Sequence, residues 1–194
     1  MNELVPYFNL LTSFANDKNV VALDLAHNLF LIGAVLSRKP RNVLELGIGS
    51  GYVTNSLIHA LRFNRQGHLT SVDNWFDWRG AEPAGVANLR AAGVTVVQSG
   101  EEEFVRAAPA DAYDLLVSDA DHFRSGTWLD QHLRIVQHDG FLFFHDTNQG
   151  EMFPTLATIE GQIKDRGLPH FHFKESSRPD ERCHRGWLFV INKK

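Results

Sequence analysis

Five short apolar segments alternate with helix-like segments between residues 41 and 145, and this alternation constrains the fold more than any other feature of the sequence. Helices are predicted over 52–63, 84–92, 101–107 and 128–137. The predicted strands are 41–47, 69–73, 94–97, 113–118 and 141–145. Strands joined through helices run parallel, and the helices cover both faces of the sheet. We therefore predict an α/β fold with a doubly wound, Rossmann-like sheet.

Segments before and after this alternation add further elements. Apolar residues recur at spacings of four, three and four within 22–36, which predicts an amphipathic helix. Another helix is predicted from 151 to 166, followed by strands over 171–174 and 186–191. The intervening 175–185 segment is too short for a helical crossover, so these two strands should pair antiparallel. The expected sheet therefore has seven strands, mostly parallel, with one antiparallel strand near the C-terminus.

Length and composition restrict the class of protein. The 194 residues fit one domain, 1–194, in which a helical N-terminal extension, 1–40, precedes the α/β core, 41–194. With 43% hydrophobic and 22% charged residues the chain is typical of a folded globular protein. The net charge of −4 offers no basic field, so we expect no nucleic-acid partner.

Localisation is predicted from three further features. The longest apolar stretch, 29–36, is much shorter than the roughly 18 to 20 residues that span a bilayer. The first residues lack the basic and apolar blocks of a signal peptide. The single cysteine, Cys183, cannot form an internal disulfide. We therefore expect a cytoplasmic protein with no membrane association.

The first predicted strand runs into a glycine-rich turn, Gly47-Ile48-Gly49-Ser50-Gly51. Glycines at alternating positions let the backbone turn tightly and approach a ligand at the start of a helix, although such a turn can also simply connect two elements. The dinucleotide fingerprint would need glycine at the position of Tyr52, which weakens the alternative of a nucleotide-dependent oxidoreductase. Asp73 ends the second strand, where a carboxylate can accept hydrogen bonds from a ribose.

With Glu45 two residues before the first glycine, this stretch and Asp73 resemble the corresponding motifs of class I S-adenosylmethionine-dependent methyltransferases. The resemblance covers 41–144 closely and the two terminal strands by pattern. It implies a carboxylate near the methionine amine, glycines along the cofactor and an acid on its ribose. It also implies an aromatic ring on the adenine, for which a core position is the alternative, and a polar contact after strand three, where a helix cap is the alternative. The implied cofactor-binding residues are Glu45, Gly47, Gly49, Gly51, Asp73, Trp75, Ser99 and Asp119.

Polar residues also follow the fourth and fifth predicted strands. Asp119, Asp121 and His122 follow strand four, and the sequence His145-Asp146-Thr147-Asn148 ends strand five. Because the carboxyl ends of parallel strands meet at one edge of a sheet, we expect this cluster beside the cofactor. Each carboxylate can instead cap a helix. Together with two imidazoles, however, the carboxylates offer a general base and oxygen ligands for a hard cation.

This cluster resembles the small metal-dependent O-methyltransferases of the catechol and caffeoyl-CoA type, and bacterial sugar and antibiotic O-methyltransferases. His122 stands where a catalytic lysine would be, and Thr147 stands where a metal-binding asparagine would be. The resemblance implies Asp119 and Asp146 as ligands of Mg²⁺ or another divalent cation. The imidazoles of the cluster suit proton removal, so the candidate catalytic residues are Asp119, His122 and His145, with His122 as the first candidate for the base and His145 as the second.

The predicted function is O-methylation of a small-molecule hydroxyl with S-adenosylmethionine as donor. A non-catalytic module that binds this cofactor remains an alternative, and a homodimer is left open. An imidazole at its ordinary pKa suits proton removal at neutral pH, which predicts a rate that rises through an apparent pKa of about 6 to 7.5. His27, His59, His132 and His138 fall on predicted helices, where a structural role is expected. His170 and His172 alternate on one strand and form a weaker candidate metal pair.

Overall fold

The structure, a computed structural model, describes residues 25–49, 51–76, 80–148, 151–174 and 185–194. Cys183, the beginning of the predicted 22–36 helix and most of the predicted N-terminal extension lie outside these residues. Seven strands form a single sheet in the order β3-β2-β1-β4-β5-β7-β6. The strands are β1 Asn42–Leu46, β2 His68–Asp73, β3 Thr95–Gln98, β4 Tyr113–Ser118, β5 Val136–His145, β6 His170–Phe173 and β7 Trp187–Ile191.

Strand directions confirm the predicted topology. Strands β1 to β5 pair in parallel, with β1 between β2 and β4. Strand β7 runs antiparallel to both of its neighbours, β5 and β6, and is therefore the single reversed strand. The carboxyl ends of β1, β2, β4 and β5 consequently lie along one edge of the sheet, the edge at which open α/β sheets bind their ligands.

Helices cover both faces of the sheet. On one face, apolar side chains of α1 and α2 pack against the strands, and on the other face those of α4, α5 and α7 do so. Among the described residues, none of the helices combines the length and the hydrophobicity that crossing a membrane requires. The helices are α1 Leu25–Arg38, α2 Tyr52–Asn64, α3 Gly85–Ala91, α4 Glu101–Ala107, α5 Leu129–Ile135, α6 Pro154–Ala157 and α7 Ile159–Asp165, with a 3₁₀ turn at Ser125–Trp128.

Two of the predicted helices differ from the observed ones, one in its end and the other by being divided. The predicted 128–137 helix ends at Ile135, and Val136 is already extended. The side-chain amide of Asn192 donates to the carbonyl oxygens of Leu133 and Val136, at 2.9 and 2.7 Å, and so satisfies groups that another helical turn would have used. The predicted 151–166 helix is divided at Thr158, whose hydroxyl bonds the carbonyl of the preceding turn.

Candidate functional site

The glycine turn after β1 is packed directly against the end of β4. Gly47 has a φ of +93°, and a Cβ at this position would lie 2.2 Å from the carbonyl oxygen of Asp119. Gly49 and Gly51 also have positive φ values, of +53° and +79°. Only glycine satisfies the constraints at position 47, because a side chain would collide with the β4 backbone. The turn and the polar cluster after β4 therefore form one continuous site.

The carboxylate of Asp73 holds the glycine turn against β2. Its Oδ2 atom accepts hydrogen bonds from the backbone amides of Ile48 and Gly49, at 2.8 and 3.1 Å. Asp73 is buried at the carboxyl end of β2, as the sequence predicts. The structure thus brings Asp73 together with Gly47 and Gly49, and its contact with a ribose stays a prediction.

Glu45 is fully buried beneath the turn. Its Oε1 accepts a hydrogen bond from the Thr54 hydroxyl at 2.9 Å, and its Oε2 accepts one from the Ser71 hydroxyl at 2.5 Å. Burial raises the pKa of Glu45 to about 8, against the opposing effect of these hydrogen bonds, and the charges of Asp119 and Asp73 raise it further. Burial therefore favours the protonated form of Glu45, and a cationic group bound nearby would favour its ionised form.

The two predicted adenine contacts have different surroundings. Trp75 is only 1% exposed and belongs to the core under α2, which is the alternative that the sequence left open. Its contact with an adenine would require the ring to become accessible. Ser99 follows β3, and its hydroxyl bonds Glu103 at 3.1 Å, as a residue near a helix start does. Its amide donates to the carbonyl of Asp73, so Ser99 lies beside the predicted ribose site.

Two histidines and two aspartates meet at the ends of β4 and β5. The Nε2 atom of His122 lies 3.1 Å from Asp119 Oδ1 and 3.0 Å from Asp146 Oδ2, so that the ring joins the two carboxylates. The Nδ1 atom of His145 lies 3.0 Å from the same Asp119 oxygen. His145 and Asp146 are buried, whereas the side chains of Asp119 and His122 retain 30% and 28% exposure. The predicted cluster is thus assembled, and Asp119 and His122 form its partly exposed side.

The charges in this cluster stabilise one another. Burial lowers the pKa of His122, but hydrogen bonds to Asp119 and Asp146 and the charges of both carboxylates outweigh burial and raise it to about 10. Burial opposes ionisation of Asp119, yet the two imidazoles hold its pKa well below the ordinary value. The pKa of His145 is also raised, by the Asp119 and Asp146 charges acting against burial. This arrangement therefore favours the imidazolium form of His122, whose pKa differs from the ordinary value assumed from the sequence.

The cluster keeps hydrogen-bonding capacity that the described residues do not use. The Oδ1 atom of Asp146 and the Nε2 atom of His145 are buried without a hydrogen-bond partner among the described part of the chain. One ligand atom each from Asp119, His145 and Asp146 lie within 4.8 Å of one another, a spacing that suits a single metal ion. Buried polar atoms without partners are uncommon in proteins, so they indicate a place for a polar or charged ligand.

Other polar residues singled out in the sequence have structural roles. Asp121 accepts hydrogen bonds from the backbone amides of Phe123 and Arg124 and so caps the turn that follows β4. His170 bonds the carbonyl of Leu168 at 2.9 Å, whereas His172 bonds Thr147 and Glu160, so the two histidines have separate partners.

One network that the sequence did not reveal supports the loop after β4. The buried Glu101 carboxylate accepts hydrogen bonds from His132 Nε2 at 2.8 Å, Ser125 Oγ at 2.7 Å and the Asp121 amide at 2.9 Å. The hydroxyl of Ser118 donates to it as well. Three consecutive glutamates begin helix α4, and only the rotation of that helix decides that the first of them points inwards. His132 is structural, as expected for a histidine on a helix.

His27, on helix α1, has the structural role expected of a helical histidine, but its position beside the cluster was not evident from the sequence. It is 1% exposed, and its ring stacks on Trp187, with centroids 5.9 Å apart. The His145 ring lies edge-on to it, with centroids 6.5 Å apart. Helix α1 therefore closes the inner side of the acid–histidine cluster, a relation between distant segments that no local pattern displays.

Comparison with known proteins places these features in a family and a fold. Residues 44–147, more than half of the chain, match a family described as a methyltransferase domain. No curated protein is significantly similar to the chain in sequence.

Several solved structures share the fold. An O-methyltransferase from Bacillus cereus in complex with S-adenosylhomocysteine (SAH) is 14% identical, with a TM-score of 0.70 over 100% of this chain and 91% of that one. TomG, an O-methyltransferase from Streptomyces achromogenes involved in tomaymycin synthesis and bound to S-adenosylmethionine, is 14% identical, with a TM-score of 0.72 over 95% and 90% of the chains. An SAH-bound methyltransferase from Podospora anserina is 16% identical, with a TM-score of 0.64 over 100% and 89%.

Proposed function

Because the chain belongs to the methyltransferase domain family, we propose that it transfers a methyl group from S-adenosylmethionine to a hydroxyl oxygen of a small molecule. The observation that carries the proposal is the contact between the glycine turn and the acid–histidine cluster, in which Gly47 packs on the backbone of Asp119. A methyl donor bound along the turn would lie next to groups able to accept a proton. The O-methyltransferases of the same fold, from Bacillus cereus and Streptomyces achromogenes, are bound to SAH and S-adenosylmethionine respectively, which supports the donor.

The reaction requires the protein to align two groups and to remove one proton. A bond forms between the acceptor oxygen and the methyl carbon while the bond from that carbon to sulfur breaks, and the hydroxyl proton passes to a base. Holding donor and acceptor in line removes much of the entropic cost of this displacement. His122 is the proposed base because its ring is partly exposed at the cluster, whereas His145 is buried behind Asp119. A base accepts a proton only in its neutral form, so His122 must first lose the charge that its carboxylate partners favour.

The carboxylates of Asp119 and Asp146 fit a divalent cation. Asp146 Oδ1 is buried without a partner among the described residues, and both side chains supply the oxygen donors that Mg²⁺ prefers. When bound, such a cation would lower the pKa of a coordinated hydroxyl. His122 lies between the same two carboxylates. A cation bound there would neutralise their charge, and the carboxylates would then no longer hold the imidazole of His122 in its protonated form. The proposed cation and the proposed base therefore depend on each other.

The pH dependence of the rate tests this relation. In chelator, kcat/KM is expected to rise with pH through an apparent pKa near 10, because only neutral His122 accepts a proton. With saturating Mg²⁺ the midpoint is expected to fall towards the ordinary imidazole value of about 6.5. The measurement is a pH–rate profile with and without Mg²⁺. A midpoint that stays near 6.5 in chelator would show that the ion pairs with Asp119 and Asp146 do not set the charge of the base.

The cofactor is tested by substitution of Asp73. Asp73→Ala removes the proposed acceptor of ribose hydroxyl bonds and the anchor of the glycine turn. Hydrogen bonds to a charged group are worth about 1.5 to 3 kcal/mol, so calorimetry should show SAH binding at least about tenfold weaker. Asp114→Ala is the matched control, because Asp114 also bonds two backbone amides, those of Arg41 and Asn42, but at the other end of β1. Equal affinities in the two variants, or tight NADH binding by the parent, would contradict the proposed cofactor.

A further inference from the structure

We propose that His172 is a positioning residue: its ring connects Thr147, at the end of β5, to Glu160 on helix α7, and thereby holds the turn that directs the Asp146 carboxylate into the site. The placement of Asp146 is a property of the fold alone. The effect of that placement on methyl transfer rests on the proposed function. In this arrangement His172 acts through Thr147, which follows Asp146 directly in the chain.

The turn to be held is strained. Asp146 has a φ of +56°, in the left-handed region that residues with a side chain rarely adopt. Such a conformation costs on the order of 1 kcal/mol and persists only when surrounding contacts enforce it. In this conformation the buried Asp146 side chain reaches His122 Nε2 at 3.0 Å. A relaxed turn would direct the carboxylate elsewhere.

Contacts on the far side of the turn supply that enforcement. The Thr147 hydroxyl lies 2.8 Å from His172 Nε2, and both side chains are largely buried. The backbone amide of Asn148 donates to the carbonyl of Arg185 at 3.0 Å. Gly186 packs so closely that a Cβ there would lie 2.8 Å from the Thr147 hydroxyl oxygen. The contact with His172 differs from the other two because it is made by a side chain that is itself oriented by a further hydrogen bond, to Glu160.

Glu160 fixes that orientation. Its carboxylate lies 2.8 Å from His172 Nδ1 and 2.8 Å from the ammonium groups of Lys164 and Lys174. Partial burial opposes ionisation of Glu160, but hydrogen bonds from these three groups outweigh it and hold its pKa well below the ordinary value. An ionised carboxylate only accepts hydrogen bonds, so Nδ1 of His172 must carry a hydrogen. The Glu160 charge is therefore present throughout the working pH range.

The other ring nitrogen completes the link. Lys174 bonds the same Glu160 oxygen as His172 does, so that oxygen is held from two sides. The Nε2 atom of His172 is bonded to the Thr147 hydroxyl at 2.8 Å, which connects Thr147 through His172 to Glu160. This link orients the Thr147 side chain and ties the turn to strand β6, which is held in the sheet through β7.

The first test reads the ring nitrogens directly. Nitrogen-15 NMR of the parent should show a hydrogen on Nδ1 of His172, and Thr147→Val should change the Nε2 signal. A ring protonated at Nε2 alone, or an Nε2 signal unaffected by Thr147→Val, would overturn the proposal. This measurement requires no substrate, metal or cofactor, so it decides the inference even if the chain proves not to be an O-methyltransferase.

The second test compares matched variants. His172→Phe keeps an aromatic ring but removes both ring nitrogens, and His170→Phe, two residues away on the same strand, is the control because His170 bonds only the Leu168 carbonyl among the described residues. Loss of a group that orients an active-site residue typically costs about 10 to 100-fold in activity. We expect that loss in kcat for His172→Phe, unchanged SAH affinity, and partial recovery in His172→Gln, whose amide oxygen can accept from Thr147.

Crystal structures of the same variants provide the outcome that does not depend on turnover. In His172→Phe the Asp146 carboxylate should move away from His122, and in His170→Phe it should not. An unchanged φ at Asp146 together with an unchanged distance to His122 would overturn the positioning role. Failure of the parent to bind SAH would instead contradict the proposed function and leave this comparison intact.

Discussion

His122→Ala is expected to slow methyl transfer by about 10² to 10⁴-fold, the usual contribution of a general base. The substitution removes the ring that joins Asp119 to Asp146 and leaves no imidazole on the exposed side of the cluster. SAH affinity, measured by calorimetry, should remain within a few-fold of the parental value, because the bonds of the His122 ring in the described part of the chain go to Asp119 and Asp146 and not to the glycine turn.

The control for this experiment is His138→Ala, since the His138 side chain is 60% exposed and bonds the carbonyl of Lys194 away from the cluster. A parallel His145→Ala variant separates the two candidates for the base. Parental turnover in both His122→Ala and His145→Ala would exclude either histidine as the base. The cluster would then have to act through cation binding or through structure alone.

Glu101→Ala should destabilise the protein by about 3 to 5 kcal/mol, the usual effect of removing one partner from a buried ionic network. His132, Ser125 and the Asp121 amide would each keep a buried donor without its acceptor. Burial opposes ionisation of Glu101, but the His132 hydrogen bond and charge, with the bonds from Ser125 and Asp121, hold its pKa below the ordinary value. The stability that this carboxylate contributes is therefore present above its unfolded-state pKa and is lost as the pH falls through the folded-state value.

Urea denaturation at neutral pH measures this loss, with Glu102→Ala as the control. Glu102 follows Glu101 on the same helix, but it pairs with Arg106 and Arg124 at the surface, where ion pairs contribute about 0 to 1 kcal/mol. The loss in free energy of unfolding should be several-fold larger in Glu101→Ala than in Glu102→Ala. Similar effects would show that the Glu101 network does not hold the loop between β4 and α5.

Local sequence patterns were sufficient for the sheet and for the edge at which the site lies. The alternation of apolar strands and helices fixes parallel pairing, and parallel pairing brings Gly47, Asp73, Asp119 and Asp146 to one edge. These inferences need only the periodicity of hydrophobic residues along the sequence and the direction of each strand. Helix ends were predicted less well, because the end of α5 depends on Asn192, more than fifty residues away.

The charge state within the cluster was not predictable from the sequence. His122 has a raised pKa only because Asp119 and Asp146 both reach its Nε2 atom, and the second contact depends on the left-handed conformation of Asp146. Similarly, the inward direction of Glu101 depends on the rotation of a helix, and the position of His27 depends on how α1 packs. Each of these features comes from tertiary packing, which residue spacing along the chain does not encode.

The insertion of β7 between β5 and β6 also restricts when the fold can be completed. Strand β6 is synthesised before β7 but has its hydrogen-bonding partner only in β7. A nascent chain that has emerged as far as residue 174 therefore carries a β6 segment with nothing to pair with, and β5 offers an open edge to other chains. The order of synthesis thus leaves the β5 edge of the sheet unpaired until Trp187–Ile191 leaves the ribosome. Pausing or truncation within this interval is where aggregation of the nascent protein is expected.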